Sequence, residues 1–198
     1  MTLEDVVVVK RRVRFPPLAL PVCLVGANVG GKPNFEAIAW FTFLESQPLT
    51  VGVTSDKMHY TNRGIRENGS FSVNVPSAGM VEATDFCGLF SGLEIDKSGV
   101  FSVFCGELGN APMIAECPVA MECRLVRTME FARNEFLVGE VVAVYIEGSC
   151  LDGKKGDLRK VDPLLYEGGS PARYWKLGEQ VARAFEVGKN YRPRPKKE

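Results

Sequence analysis

The chain has 198 residues, of which 45% are hydrophobic and 24% charged, and its 24 Lys and Arg balance its 24 Asp and Glu. That is the composition of an ordinary globular protein, long enough to bury a core without staples. A formal charge of zero gives no electrostatic reason for nucleic acid or an anionic membrane as partner.

The first segment, MTLEDVVVVKRRVRF, carries a four-valine run between acids and bases. It suits neither a signal peptide nor a spanning helix, and no later apolar run reaches spanning length. The chain is therefore read as soluble and cytoplasmic. Alternation of β-branched and apolar residues between Gly, Pro and Asn breakers predicts strands over residues 6–14, 20–29, 37–43 and 49–54. Further strands are expected over 70–75, 119–125 and 136–149, the last bending at Gly139. Helical signals are fewer. Thr61 caps a short helix to Arg66, which Asn68-Gly69 stops, and residues 80–87 form another. Leu177, Val181, Ala184 and Phe185 share one face of a predicted C-terminal helix over 177–187, ended by Gly188. Many strands and few helices exclude a doubly wound sheet and predict an antiparallel barrel or sandwich. There is no internal repeat or low-complexity linker, so residues 1–190 are read as one domain and 191–198 as a flexible basic tail.

The six cysteines, Cys23, Cys87, Cys105, Cys117, Cys123 and Cys150, include no CxxC pair, and the single histidine, His59, has none beside it. Reduced, mostly buried thiols are expected, and no metal site is read from the spacing. Gly26-Ala27-Asn28-Val29-Gly30-Gly31-Lys32 matches GxxxxGK. Pro33 follows where a phosphate loop needs Ser or Thr, and it disfavours helical angles at Lys32. Residues 28–33 are read as a hairpin turn instead.

The stretch richest in chemistry is 40–61. Ser55, Lys57 and Thr61 supply hydroxyls and a charge, and the following helix start supplies unpaired N–H groups. This fits either a phosphate cradle or an ordinary polar loop with a helix cap. Backbone groups of residues 39–42, with the Thr42 hydroxyl, suit the edge of a flat ring. Read from the residues alone, Trp40, Phe41 and Phe43 are better explained as plain core.

The ordered succession of motifs resembles the flavin reductase-like, FMN-binding split-barrel family, flavoredoxins in particular. It runs from Pro21-Val22-Cys23 and Gly31-Lys32-Pro33-Asn34 through Ala39-Trp40-Phe41-Thr42 and Lys57-Met58-His59-Tyr60-Thr61. It continues with Phe71-Ser72-Val73-Asn74-Val75-Pro76, Asp85-Phe86-Cys87-Gly88, Asp96-Lys97, Gly139-Glu140-Val141 and Tyr174-Trp175-Lys176-Leu177-Gly178-Glu179. The resemblance implies a mainly β, Greek-key split barrel that works as a homodimer with FMN near the subunit interface. Ala39, Trp40, Phe41 and Thr42 would line the ring, and Ser55, Lys57 and Thr61 would hold the phosphate, supported by Tyr60. Cys87 and Gly88 would approach the flavin, Lys97 would place a charge at its pyrimidine end, and Tyr174 and Trp175 would pack beside it. No side chain is read as an acid or base for hydride transfer, and none is required where the flavin carries that chemistry. The resemblance implies an oxidoreductase moving electrons from NAD(P)H through FMN to an acceptor. Its alternative is a flavoredoxin-type carrier that exchanges electrons with a redox protein, and a non-redox FMN-binding protein is a third reading.

Overall fold

The computed structural model describes residues 10, 12 and 14–193. The chain forms β1 (Ala19–Pro21), β2 (Cys23–Val29), β3 (Lys32–Ile38), β4 (Phe41–Ser46), β5 (Leu49–Asp56), helix α1 (Tyr60–Asn68), β6 (Ser70–Val75) and helix α2 (Val81–Leu89). The short β7 (Val103–Phe104) and β8 (Met113–Ile114) precede the long β9 (Val119–Glu130) and β10 (Asn134–Ile146). Then come β11 (Leu151–Asp152), β12 (Lys155–Gly156), the one-turn helix α3 (Leu158–Val161), β13 (Leu165–Glu167) and β14 (Arg173–Trp175).

Seven strands pair antiparallel in the order β3-β2-β6-β9-β10-β5-β4, and β1-β13-β14 form a second sheet. The outer strands β3 and β4 are joined by Ala39 and Trp40 alone. Three Cα steps reach roughly 11 Å at most, so the two edges of the sheet must meet. The sheet closes into a barrel, and across the seam the Ser55 hydroxyl of β5 donates to Glu36 of β3 at 3.1 Å. Inside lie Val25, Val51, Val53, Phe71, Val73 and Leu137, all fully buried, with Ile65 of α1. Gly64 lets α1 lie on the β2–β3 hairpin, since a Cβ there would stand 2.3 Å from the Asn28 carbonyl oxygen. A second core of Leu24, Phe35, Cys87, Phe101 and Ile114 lies under α2. All six cysteines are free thiols, and only Cys105 is exposed.

This is the mainly β barrel expected from the sequence, and β10 shifts register at Val138/Gly139, where the bend was predicted. Four local expectations change. The 28–33 turn is only Gly30-Gly31, both at positive φ (58° and 81°), and Lys32 and Pro33 already belong to β3. The strand over 37–43 is broken at Ala39-Trp40, because an unbroken one would hold the barrel edges apart. Helix α1 takes His59, not Thr61, as its N-cap, and Thr61 is buried within its first turn. The C-terminal helix over 177–187 does not form. Val181 and Phe185 are 99% and 96% exposed, and a single 3-10 turn, Val187–Asn190, follows. A helix of this length is marginal without an apolar surface to lie on, and among the described residues Val181 and Phe185 pack on none. The strand over 6–14 and the end of the basic tail lie largely outside the described residues.

Candidate functional site

Where the barrel seam faces the three-stranded sheet, a cleft of about 1240 Å³ opens. One wall is the β3–β4 bend, with Ala37, Ile38, Ala39 and Trp40. Facing it are Phe15, Leu18 and Leu20 from the segment leading into β1, and Tyr166 and Tyr174 from β13 and β14. Phe15 lies against Trp40 with ring centroids 5.7 Å apart, and Tyr166 and Tyr174 pair at 5.8 Å. Gly88 and Leu89, at the end of α2, complete the apolar part. Gly88 packs tightly there, because a Cβ would meet the Ala37 Cβ at 3.3 Å. The Tyr174 hydroxyl donates to Asp85 Oδ1 at 2.8 Å, tying β14 to α2. Burial and the Asp85 bond push the Tyr174 phenol pKa up.

The polar end is built by the β5–α1 turn and the β9–β10 hairpin, which supply Asp56, His59, Arg133 and Asn134. These groups hold one another. Arg133 Nε donates to Asp56 Oδ2 at 2.6 Å, and the Met58 N–H donates to Asp56 Oδ1 at 3.0 Å. Those bonds hold the Asp56 carboxyl below its usual range. Behind them lies Glu36, only 4% exposed. Its carboxylate accepts from the Ser55 hydroxyl at 3.1 Å and pairs with His59 Nδ1. Ser55 Oγ also lies 3.0 Å from His59 Nδ1. The bond to Glu36 raises the His59 pKa, against its partial burial.

The structure brings Ala39, Trp40, Gly88 and Tyr174 to the cleft and disperses the other residues singled out by sequence. Phe41 turns inward against the barrel core, and Thr42 is exposed with its hydroxyl on the Phe43 carbonyl. Ser55 is buried behind His59, and the Thr61 hydroxyl accepts from Asn34 Nδ2 at 2.8 Å. Lys57 points away from the cleft to Glu130, at 2.9 Å, in a separate small pocket with Arg66 and Glu135. The Tyr60 ring packs beside Gly92. Lys97 is buried, donating to the Phe35 and Cys87 carbonyls at 2.9 Å each, and burial lowers its pKa. Cys87 is buried beneath α2, and burial pushes its thiol up to about 11. Trp175 is half exposed, its Nε1 donating to Glu167 at 2.9 Å.

Sequence reasoning did not single out Arg14, Phe15, Asp56, Arg133, Tyr166 or Arg173, all of which line the cleft. Arg133 sits in an unremarkable hairpin turn, and only the register of β5 on β10 carries it to Asp56. An apolar, aromatic wall that leads to a histidine and an arginine suits a flat ring bearing an anion. The residues present thus fit a mononucleotide such as FMN. Among the described residues, no helix is long and apolar enough to cross a membrane.

Residues 15–173 match the family model described as "Flavin reductase like domain". A flavoredoxin from Methanosarcina acetivorans is 47% identical, superposes with a TM-score of 0.87, and aligns over 92% of this chain and 98% of its own. Flavoredoxin of Desulfovibrio vulgaris (Miyazaki F) is 34% identical, with a TM-score of 0.84 over 91% of this chain and 100% of its own. An FMN-binding protein from Thermus thermophilus with bound p-hydroxybenzaldehyde is 25% identical, with a TM-score of 0.76 over 89% of this chain and 99% of its own.

Proposed function

The chain belongs to the flavin reductase-like family, and from that premise we propose that it binds FMN in the cleft between Trp40 and Tyr174 as an oxidoreductase. The observation that carries this reading is the lining of that cleft. Apolar and aromatic side chains fill most of it, and cations gather at the end formed by His59 and Arg133. Bound there, FMN would supply the redox chemistry, with NAD(P)H as the proposed electron donor. The protein's own share is binding and exclusion of water. Trp40, Ala39 and Gly88 would lie along the ring, Tyr174 would close the opposite side, and His59 and Arg133 would hold the phosphate. Ser55 supports His59 from behind.

A second reading is a flavoredoxin-type carrier that receives electrons from a partner protein without a nicotinamide. It is favoured by the two flavoredoxins at 47% and 34% identity. The two readings separate in one experiment. The FMN-loaded protein is mixed anaerobically with NADH, then with NADPH, and flavin absorbance is followed. Rapid bleaching supports the reductase. Bleaching by dithionite alone supports the carrier, and failure to take up FMN ends both.

The working unit is proposed to be a homodimer. The segment after β14 carries Val181, Phe185, Val187 and Tyr191 on the surface, each at least two-thirds exposed. A second copy of the chain would give these side chains the apolar contact they lack within one.

A further inference from the structure

His59 fills a position that its sequence neighbourhood does not explain. Its Nδ1 faces inward to the Glu36 carboxylate and Ser55 Oγ. Nε2 makes no hydrogen bond among the described residues, and the ring, 42% exposed, lines the polar end of the cleft. Glu36 is 4% exposed, and its carboxylate has two side-chain donors, the Ser55 hydroxyl and His59. A buried carboxylate so placed holds a proton on Nδ1 and turns the second ring nitrogen toward the ligand. Lys57 and Thr61, the phosphate holders that sequence suggests, are engaged elsewhere, with Glu130 and Asn34. Arg133 is shared with Asp56.

We propose that His59, held as an imidazolium by Glu36, is the residue that grips the phosphate of the bound flavin, so that FMN retention is coupled to a proton. The inference rests on the FMN reading above and adds to it the responsible side chain and a pH dependence. The charged groups around the ring act in both directions. Glu36 on β3 and Asp56 on β5 favour the cation, while Lys97, from the far side of β3, opposes it. The Glu36 bond is the largest of these influences, and the net direction is upward. The sign follows. The imidazolium is the binding form, so affinity falls as pH rises through the His59 pKa. A phosphate monoester is already a dianion above about pH 6, so a decline above neutrality belongs to the protein.

His59 is the single histidine in the chain, so its imidazole resonances in an NMR titration are unambiguous. In the flavin-free protein the midpoint is expected above the ordinary histidine value. FMN should move it further up, and riboflavin, which lacks the phosphate, should not. In parallel, dissociation constants for both flavins are measured from pH 7 to 9 by fluorescence quenching. FMN affinity should weaken by about tenfold across that range, the size of a lost charged hydrogen bond, while riboflavin affinity stays level. His59→Gln should remove the pH dependence. Glu36→Gln should lower the midpoint and shift the FMN profile to lower pH, which a merely structural histidine would not do. If FMN binds with a level profile, or His59→Gln binds it as tightly as the native chain, the grip is overturned and the flavin reading stands. If neither flavin binds, both fall together.

Discussion

Replacing Tyr174 by Phe removes one oxygen and leaves the aromatic wall of the cleft in place. The Tyr174 hydroxyl donates to Asp85 Oδ1 at 2.8 Å, a bond between residues 89 apart in sequence. It joins β14 to α2, and so spans the two sides of the proposed flavin cleft. A hydrogen bond to a charged acceptor contributes about 1.5–3 kcal/mol. Tyr174 is only half-buried, and solvent screening brings the expectation down to about 1–2 kcal/mol. For a chain of this size each kcal/mol moves Tm by roughly 2–4 °C, so Tyr174→Phe should lower Tm by about 2–8 °C. Tyr166 and the substituted ring keep their contact, which isolates the hydroxyl. The assay is a double-mutant cycle with Asp85→Asn, read by thermal denaturation followed by circular dichroism. The two single variants should be non-additive by most of the Tyr174→Phe effect. An additive cycle, or an unchanged Tm in Tyr174→Phe, would show that the sheet is held to α2 by ring packing alone.

Other consequences follow from the same geometry. Lys57→Ala should leave FMN affinity within about twofold in equilibrium dialysis, because an exposed pair such as Lys57–Glu130 contributes little and lies outside the cleft; a tenfold loss would return Lys57 to the site. Gly64→Ala should cost at least about 1–3 kcal/mol in urea denaturation, since its Cβ would stand 2.3 Å from the Asn28 carbonyl oxygen. The His59–Glu36 pair should stabilise the fold fully below about pH 6.5 and lose that contribution as pH rises through the raised folded-state pKa of His59. Urea midpoints of the native chain and Glu36→Gln should therefore converge at alkaline pH, and a constant gap would contradict the pairing. Val181→Asp combined with Phe185→Asp should yield a monomer in sedimentation velocity if the exposed arm docks on a second copy; an intact dimer would place the interface elsewhere.

Much of the barrel was legible because its strands carry period-two apolar patterns that need no tertiary context. Residues 70–75 and 49–54 show this, and Gly139 announced the bend of β10. The failures share a different cause. The run Leu177, Val181, Ala184, Phe185 has helical spacing, but spacing makes a helix only where a surface waits to receive it, and among the described residues this run meets none. Thr61 has the chemistry of a cap, yet Asn34 from β3 takes its hydroxyl and His59 takes the cap position. Lys57 has the chemistry of a phosphate ligand, but in the turn after β5 its N–H is tied to the Arg133 carbonyl of the β9–β10 hairpin and its side chain pairs with Glu130. In each case the residue type was informative and the direction of the side chain was set by a partner far away in sequence.

That distinction explains where the site lies. A sheet whose outer strands are consecutive in the chain must close through the short link between them, and Ala39-Trp40 is that link. Closure brings Glu36 of β3 to Ser55 of β5. The same seam therefore creates the cleft wall at Trp40 and the buried carboxylate that raises the His59 pKa. No local motif encodes the His59–Glu36 pair, because Glu36 sits on β3 and His59 caps α1 beyond β5, and the two meet only when the barrel shuts. On the proposed reading, binding of the phosphate is tied to barrel closure. Loosening the seam, for example by removing the Ser55 hydroxyl, should weaken FMN more than riboflavin even though Ser55 is buried behind His59.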